Sequence, residues 1–329
     1  VGSEMCIRDR LWGQQATLAV KEDERAITVT RGGSDVLVYN KVSPRVPPQI
    51  DPIYERSGFL HPVRTPQGKT VTAAFPADHP HQQGLFSAWV RTRWQDREID
   101  FWNIARGTGK VLHDRVVETF SGERGAGFEV ELIHRALDAP VTDILRETWK
   151  VTVLPTDETV HRFDLESRQE NLTSSPLTVE KYRYGGFAVR GPMSWLERED
   201  SGWTESLGAN TGSQFLNQMG SDRLTGNHQR VGWVAMYSEE SEPKATISML
   251  CHPENRGAPQ AARLHPTKPY FCFAACIDGK FTIDPGQPLR SRYRFLVTDQ
   301  PPDSNWLDQQ YEAYSSQLAV ADEDTTHPE

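Results

Sequence analysis

The feature that most constrains the fold of this chain is an alternation of apolar and polar residues that recurs from one end to the other. Phe128, Val130 and Leu132 alternate with glutamates, and residues 149–153 repeat the pattern with a lysine and a threonine between apolar positions. Side chains of a strand point alternately to its two faces. Each of these segments therefore predicts a half-buried strand.

More than ten such segments, including residues 70–74 and 86–94, are separated by turn signals such as Asp284-Pro285-Gly286. No helical pattern alternates with them, as it would in a parallel sheet. We therefore predict an all-β fold, a large antiparallel two-sheet β-sandwich. No Pro/Ser-rich linker or compositional break interrupts the strands, so the prediction is a single domain over residues 11–318.

The two ends of the chain are predicted to differ from the sandwich. Near the C-terminus, Ser304 is suited to cap one helix over residues 305–318, and an acidic, disordered tail is expected over residues 319–329. At the other end, the sequence from Met5 to Arg10 reads like a translated sequencing adapter. We expect residues 1–10 to be an artefact that takes no part in the fold.

Charge and motifs exclude several classes of function. Basic residues number 36 and acidic residues 45, and this net charge of −9 disfavours nucleic acid as a partner. No apolar run is long enough for a membrane span, so membrane insertion is not expected. Phosphate-binding, nucleophile-elbow, zincin and dinucleotide motifs are all absent from the sequence. We therefore predict no nucleotide or nicotinamide cofactor.

The cysteines give no metal motif. Apart from Cys6, the chain has Cys251, Cys272 and Cys276. The last two lie in an apolar, strand-like run without histidines at zinc-finger spacing, which favours buried thiols over structural zinc.

The densest group of candidate site residues begins with His79 and His81, on either side of a proline. In an extended segment, residues two apart share a face, so both rings could bind a metal or carry acid-base catalysis. A rigid loop with backbone-bonded histidines is the alternative. Nearby Gln82, Trp102 and Asn103 favour sugar recognition, because amides align hydroxyl groups and indoles stack on sugar rings.

Glu147 is a second candidate, because it shares strand parity with Trp149 and should point towards the packed side. A buried carboxylate needs either a partner or a catalytic role. An ion pair with an arginine and a catalytic function explain it about equally well.

Two further segments carry candidate residues. Lys181 and Tyr184 precede a pair of glycines that would let the backbone approach a ligand closely, although a turn explains the glycines equally well. His252 and Asn255 follow an apolar strand, and strand ends often carry functional groups in all-β proteins.

Taken together, these motifs resemble the DUF6807 family over about residues 36–297. The resemblance rests on the following segments: Gly58-Phe59-Leu60-His61-Pro62, Asp78-His79-Pro80-His81-Gln82-Gln83-Gly84-Leu85-Phe86, Asp100-Phe101-Trp102-Asn103, Tyr184-Gly185-Gly186-Phe187-Ala188-Val189-Arg190 and His252-Pro253-Glu254-Asn255. The resemblance implies a supersandwich akin to galactose mutarotase. It also implies a bacterial protein of polysaccharide breakdown, of a kind that is often exported.

Members of this family are often labelled "methane oxygenase PmoA". The membrane enzyme subunit of that name is built of apolar helices, and this sequence has no segment of that kind. We therefore reject methane oxidation as the function.

Three hypotheses follow from the residues and the resemblance. The first is an enzyme acting on a carbohydrate through His79, His81, Glu147 and His252, as a lyase, hydrolase or epimerase. The second is a carbohydrate-binding sandwich without catalysis, and the third is a His-ligated metalloenzyme. Gln82, Trp102, Asn103, Lys181, Tyr184 and Asn255 are the predicted substrate-binding residues, with no metal ligand assigned.

These hypotheses share one geometric expectation. His81, Trp102, Glu147 and His252 should line a common pocket on the concave sheet face. Residues 200–229, a long segment of weak periodicity, should lie near its rim.

Overall fold

A computed structural model describes residues 16–196 and 212–321, the last five by backbone alone. Residues 1–10, the tail beyond residue 321 and residues 200–211 of the predicted rim segment lie outside the described residues. The regular elements of the described chain are strands, three short 3₁₀ helices and one α-helix, α1, which spans Ser304–Ala321. The strands are β1 Leu18–Glu22, β2 Ala26–Arg31, β3 Ser34–Asn40, β4 Phe59–Val63, β5 Leu85–Ala88, β6 Thr92–Trp94, β7 Arg97–Ile99, β8 Gly109–Gly122, β9 Gly125–Ala136, β10 Thr142–Leu154, β11 Val160–Asn171, β12 Leu177–Val179, β13 Gly186–Arg190, β14 Gln214–Asn217, β15 Trp233–Ser238, β16 Ala245–Cys251, β17 Ala262–Leu264, β18 Tyr270–Phe273, β19 Phe281–Ile283 and β20 Leu289–Thr298.

The strands form two large sheets and one small sheet. Sheet I has the order β1-β2-β3-β4-β5-β13-β18-β17, and sheet II has the order β14-β15-β16-β20-β11-β10-β9-β8. Sheet III has four strands in the order β19-β12-β6-β7. Neighbouring strands are antiparallel throughout the described sheets. The predicted antiparallel all-β sandwich is confirmed, and the small third sheet was not predicted.

Sheets I and II face each other across an aromatic core. Tyr39 of sheet I contacts Phe128 and Trp149 of sheet II, with ring centroids 5.2 and 6.2 Å apart. Phe187 of sheet I lies 5.2 Å from Trp149 and 5.1 Å from Tyr293. In β10 and β11, buried positions alternate with more exposed ones, so in these strands the period-two pattern defines the face towards the core. Burial of such side chains is worth about 1.5–3 kcal/mol each.

The helix α1 covers the outer face of sheet II. Its Leu307 and Tyr314 are buried in a small second core, and Asp308 accepts a hydrogen bond from the Trp233 indole at 2.8 Å. The predicted helix is confirmed, but it continues to Ala321, three residues into the segment that was predicted to be a disordered tail. The cap is also different. The helix begins at Ser304, and Asp303 caps it by accepting from the Trp306 N–H at 3.1 Å.

Two strand predictions were wrong in detail. Residues 71–74 form no strand, because this buried apolar segment runs as a loop towards β5. Residues 86–94 are two strands in place of one. β5 belongs to sheet I and β6 to sheet III, so the chain changes sheet at residues 89–91. Apolar content predicted the burial of both segments but not their pairing.

Within the described part of the chain, no helix has the length and apolar character to cross a membrane.

Candidate functional site

The loop that carries His79 and His81 is fixed where it enters β5. The Gln82 N–H donates to the His79 carbonyl at 2.9 Å. Gly84 has a φ of +57°, and a Cβ at this position would lie only 2.0 Å from the Leu60 carbonyl oxygen. Only glycine therefore allows the loop to pack against β4 in this way.

Asp78 anchors this loop to sheet I. The fully buried Arg190 of β13 donates to both of its carboxylate oxygens, at 2.6 and 2.9 Å. His79 Nδ1 lies 3.2 Å and Lys268 Nζ 3.6 Å from Oδ2. Burial opposes ionisation of this carboxyl, but the hydrogen bonds from His79 and Arg190 outweigh it and hold the Asp78 pKa well below its usual range. Asp78 is thus a fixed anion that orients the His79 ring.

Three histidine rings meet beside this anchor. The ring centroid of His79 lies 5.4 Å from that of His81 and 6.1 Å from that of His265. Together with neighbouring side chains they line a pocket of about 440 Å³, a volume that includes the open solvent at its mouth. We call it the histidine pocket. Its lining residues are His79, His81, Gln82, Asn103, Arg183, Tyr184, Arg263, His265 and Tyr270.

The rings of His81 and His265 are neutral at neutral pH. Burial lowers the pKa of His81 to about 3, and the positive charges of Arg56 and Arg190 add to this effect. Burial also lowers the pKa of His265 to about 3, with Arg263 and Lys268 contributing next. Both rings can therefore donate and accept hydrogen bonds without carrying charge.

Tyr184 provides a protonated phenol at the same pocket. Burial raises its pKa to about 12, the neighbouring Tyr182 adds to the rise, and a hydrogen bond with Asn103 opposes it. A phenol with a raised pKa keeps its proton at neutral pH, so the Tyr184 hydroxyl is a hydrogen-bond donor at the pocket.

Trp102 lies beneath the lining residues. Its ring centroid is 5.2 Å from that of Tyr184, 5.9 Å from that of Tyr270 and 4.6 Å from that of Phe86. The side chain is fully buried, and its Nε1 has no hydrogen-bond partner within residues 16–196 and 212–316. Trp102 therefore supports the pocket from below, whereas the prediction placed it on the wall.

Asn103 is directed into the pocket by the turn that Asp100 organises. Asp100 Oδ1 accepts from the backbone N–H groups of Trp102 and Asn103, at 3.0 and 2.8 Å. Its Oδ2 accepts from Asn103 Nδ2 at 2.8 Å. The carboxylate thus fixes both the backbone and the side chain of Asn103.

Lys181 lies apart from the histidine pocket. It lines a neighbouring apolar hollow together with Tyr182, Arg183, His228 and Ile277. Arg183 borders both spaces.

Glu147 lies in the closed core between the sheets. The parity prediction that it points inwards is correct, and its side chain is fully buried. Its Oε2 contacts His134 Nε2 at 2.6 Å, and its Oε1 accepts from Trp149 Nε1 at 2.8 Å and Ser167 Oγ at 2.6 Å. Burial raises the Glu147 pKa, but these donors outweigh it and lower the pKa below its usual value. The structure therefore does not place Glu147 in the histidine pocket, because its oxygens are already occupied inside the core.

His252 and Asn255 also lie away from the histidine pocket. His252 is buried beneath α1, with its ring centroid 5.4 Å from that of Tyr314. Asn255 exchanges two hydrogen bonds with the backbone of Arg292, at 2.8 and 2.7 Å, and so ties this turn to β20. The predicted common pocket of His81, Trp102, Glu147 and His252 is therefore not formed.

Several residues of the histidine pocket were missed at the sequence level. Arg263 and Tyr270 come from β17 and β18, and His265 comes from the turn between them. They are more than 180 residues from His79, and no spacing signal marks them. Arg183 stands beside Tyr184, within a segment that drew attention for its glycines and charges.

The described part of the predicted rim segment does lie close to this pocket. Asn227 Oδ1 accepts from Arg263 at 3.0 Å. Arg223 donates to the carbonyls of His265 and Lys268, at 2.6 and 2.9 Å. Residues 223–227 thus support the turn that carries His265.

Among the described residues, no group of three or more His, Cys, Asp or Glu side chains is arranged to hold a metal ion. Cys251, Cys272 and Cys276 are buried free thiols.

Comparison with known proteins identifies a family. The sequence profile of a family of unknown function, DUF6807, matches residues 26–312. No curated protein matches the chain.

Solved structures give remote likenesses only. A mutant of heparan sulfate lyase HepC from Pedobacter heparinus has a TM-score of 0.39 and 8% identity, over 88% of this chain and 36% of that one. The alpha-N-acetylgalactosaminidase NagBb from Bifidobacterium bifidum has a TM-score of 0.33 and 12% identity, over 93% and 38%. An alpha-galactosidase from Lactobacillus brevis has a TM-score of 0.35 and 8% identity, over 85% and 39%. The chain thus spans little more than a third of the length of each of these proteins.

Proposed function

The chain belongs to the DUF6807 family, and from that premise we propose that it acts on a carbohydrate by acid-base chemistry in the histidine pocket. The observation that carries this proposal is the convergence of an oriented histidine and a protonated phenol at one opening. His79 is oriented by Asp78, and Tyr184 lines the same pocket.

The lining supports a sugar as the bound group. Gln82 and Asn103 provide amides, and the neutral rings of His81 and His265 both donate and accept hydrogen bonds, as sugar hydroxyls require. The phenol ring of Tyr184 provides an apolar surface beside these polar groups.

The acid and base roles follow from the same contacts. Asp78 holds His79 by Nδ1, so Nε2 is the nitrogen that accepts a proton from the substrate. Tyr184 then donates its phenolic proton to the leaving oxygen, or to the opposite face of the carbon that lost the first proton. The first course is an elimination and the second is an epimerisation. In each, His79 takes one proton from the substrate and Tyr184 gives one proton to it.

Hydrolysis by a pair of carboxylates is a weaker candidate. That mechanism needs two Asp or Glu side chains facing the sugar, and none lines the histidine pocket among the described residues. We therefore favour a lyase or an epimerase.

The test is a turnover screen. The protein would be incubated with oligosaccharides, including uronic-acid and oxidised sugars, and the products followed by mass spectrometry. With a substrate in hand, His79→Ala should lower kcat by about 10²–10⁴-fold, the usual contribution of one acid-base group. The free energy of unfolding should change by less than about 1 kcal/mol, because the ring is partly exposed.

A matched pair of tyrosine variants separates catalysis from packing. Tyr184→Phe should lower kcat strongly. Tyr237→Phe removes a hydroxyl that bonds Gln214 outside the pocket and should leave kcat unchanged. Unchanged kcat in both His79→Ala and Tyr184→Phe would overturn the proposal, and sugar binding without turnover of any substrate would favour a binding module.

A further inference from the structure

The histidine pocket has an unusual charge for this chain. The protein carries a net charge of −9. Nevertheless, no Asp or Glu lines the pocket in the described structure, whereas Arg183 and Arg263 both do. A positive pocket in an acidic protein concentrates anionic ligands, because field lines focus in a cleft with low-dielectric walls.

Arg263 reaches the pocket from β17, and no carboxylate of the described residues pairs with it. One of its terminal nitrogens donates to Asn227 Oδ1 and to the Leu264 carbonyl, at 3.0 and 2.9 Å. Its buried Nε has no hydrogen-bond partner among the residues described. Neutral oxygens fix the guanidinium, and no counter-ion within residues 16–196 and 212–316 balances its positive charge.

Arg183 provides a second guanidinium at the mouth of the pocket. It is exposed and lies over the rings of Tyr182 and Tyr184, at 5.9 and 5.7 Å from their centroids. As with Arg263, no carboxylate of the described chain pairs with it. The aromatic contacts restrict the side chain, so less entropy is lost when it binds an anion.

The carboxylates close behind the lining do not neutralise these charges. Asp78 is bonded on both oxygens by Arg190 and also lies 3.6 Å from Lys268. Asp100, which holds Asn103, pairs with Arg106 at 3.4 Å. Among the described residues, positive groups therefore already balance both carboxylates, and the charge of Arg183 and Arg263 remains in excess.

A second cavity provides a contrast. It is lined by arginines and acids in comparable number, namely Arg91, Arg93, Arg106, Glu98, Asp100 and Glu180. Arg93 pairs with Glu98 and Glu180 at 3.3 and 3.8 Å, and Arg106 pairs with Asp100 at 3.4 Å. Positive charge without a carboxylate partner is thus a property of the histidine pocket and not of this other cavity.

We propose that the histidine pocket selects a sugar that carries an anionic group, a carboxylate or a sulfate ester, which Arg263 and Arg183 bind. The sugar part of this inference rests on the proposed function. Arginine suits both groups, because its planar fork donates two parallel hydrogen bonds to a pair of anionic oxygens.

The histidines are consistent with such a ligand. Positive neighbours contribute to the low pKa of His81 and of His265. A bound anion would oppose those neighbours and make either ring a better proton acceptor.

The experiment measures binding directly, by isothermal titration calorimetry at low salt. The probes are glucuronate with glucose, galacturonate with galactose, glucose 6-sulfate with glucose, and inorganic sulfate alone. We expect at least one charged sugar to bind tenfold or more tighter than its neutral partner, with an affinity that falls as salt rises. Preference for a uronate or for the sulfated sugar identifies which anionic group is recognised.

Three variants test the assignment to arginine. Arg263→Gln and Arg183→Gln should each weaken binding of the charged sugar about tenfold and leave the neutral sugar unchanged. Arg124→Gln, in the exposed turn between β8 and β9, is the control and should change neither. If Arg263→Gln does not fold, Arg263→Lys keeps the charge without the fork and should retain part of the preference.

Several results would overturn this inference. Equal affinity for charged and neutral sugars, no binding of any charged sugar, or full affinity in both glutamine variants would each do so. Inorganic sulfate binding as tightly as the charged sugars would reduce the site to a general anion site. Failure of the proposed function is distinguishable, because it would leave charged-sugar selectivity intact while His79→Ala changed no turnover.

Discussion

Two of the histidine-carboxylate pairs in the described structure differ in what surrounds them. In the core pair, His134 and Glu147 are 2.6 Å apart and neither side chain is exposed. In the pocket pair, His79 and Asp78 are 3.2 Å apart, and 33% of the His79 side chain is exposed. The chemical groups match, but only the second pair can reach a ligand.

The hydrogen bonds explain the difference in use. His134 contacts one carboxylate oxygen of Glu147, and Trp149 and Ser167 donate hydrogen bonds to the other. The Phe101 ring packs against the His134 ring, with centroids 5.3 Å apart. A buried carboxylate with both oxygens bonded in this way specifies and stabilises a core. In the pocket pair, Asp78 is saturated but the histidine is open on one side, as a general base requires.

The largest effect on stability is expected from Glu147→Ala. The substitution leaves the His134, Trp149 and Ser167 donors buried without an acceptor, which should lower the free energy of unfolding by about 3–5 kcal/mol. Urea unfolding followed by circular dichroism measures this loss. Glu118→Ala, at an exposed position of β8, is the control and should change it by less than about 0.5 kcal/mol.

The outcome for Glu147 also decides whether the two pairs have been assigned correctly. A stable Glu147→Ala protein that loses turnover would make Glu147 catalytic and would assign the wrong pair to the function.

A smaller loss of stability is expected from Asp100→Ala, because Asp100 shares features with both the core pair and the pocket pair. Asp100 is saturated like Glu147, but it holds a pocket residue, Asn103. Loss of its hydrogen bonds should cost about 1–3 kcal/mol of stability, and it should also weaken sugar binding because Asn103 is no longer fixed. Unfolding and calorimetry on the same preparation measure both. A loss of stability with unchanged sugar affinity would show that Asn103 takes no part in binding.

The sequence predicted one half of this comparison better than the other. Parity predicted that Glu147 points inwards, and the His-Pro-His segment was correctly singled out as lining a pocket. The residue of β9 that lies beside Glu147 could not be found by counting back from the β9–β10 turn. A bulge between Asp143 and Leu145 shifts the register of the two strands.

Local sequence patterns could not predict the pocket residues that come from β17 and the turn after it. Arg263 and His265 reach His79 only because β18 pairs with β13 and so lies next but one to β5 in sheet I. Long-range strand order of this kind is not written in any short segment. For His252, the local pattern predicted a site that is not formed. Strand ends carry functional groups in many β proteins, but α1 covers this one.

The smallest expected effect is a pH dependence that comes from the pocket side of the comparison. Burial, together with the positive charges of Arg56 and Arg190, lowers the pKa of His81 to about 3, and Asp78 opposes this only in part. In the unfolded chain the ring has its ordinary pKa of about 6.5. Between these values the unfolded state binds a proton that the folded state does not, so stability should fall as the pH drops from about 6.5 towards 3.

One group of this kind contributes at most about 1.4 kcal/mol per pH unit, and the open mouth of the pocket reduces that contribution. Unfolding free energies of the wild type and His81→Gln, measured from pH 4.5 to 7, should therefore show a shallower slope in the variant. The pKa values of His61 and His113 are also lowered, each to about 4, but both residues remain in the two proteins and cancel in the difference. Parallel slopes would mean that His81 is solvated in the folded protein, and the pocket would then be more open, and its histidine closer to an ordinary surface residue, than its contacts indicate.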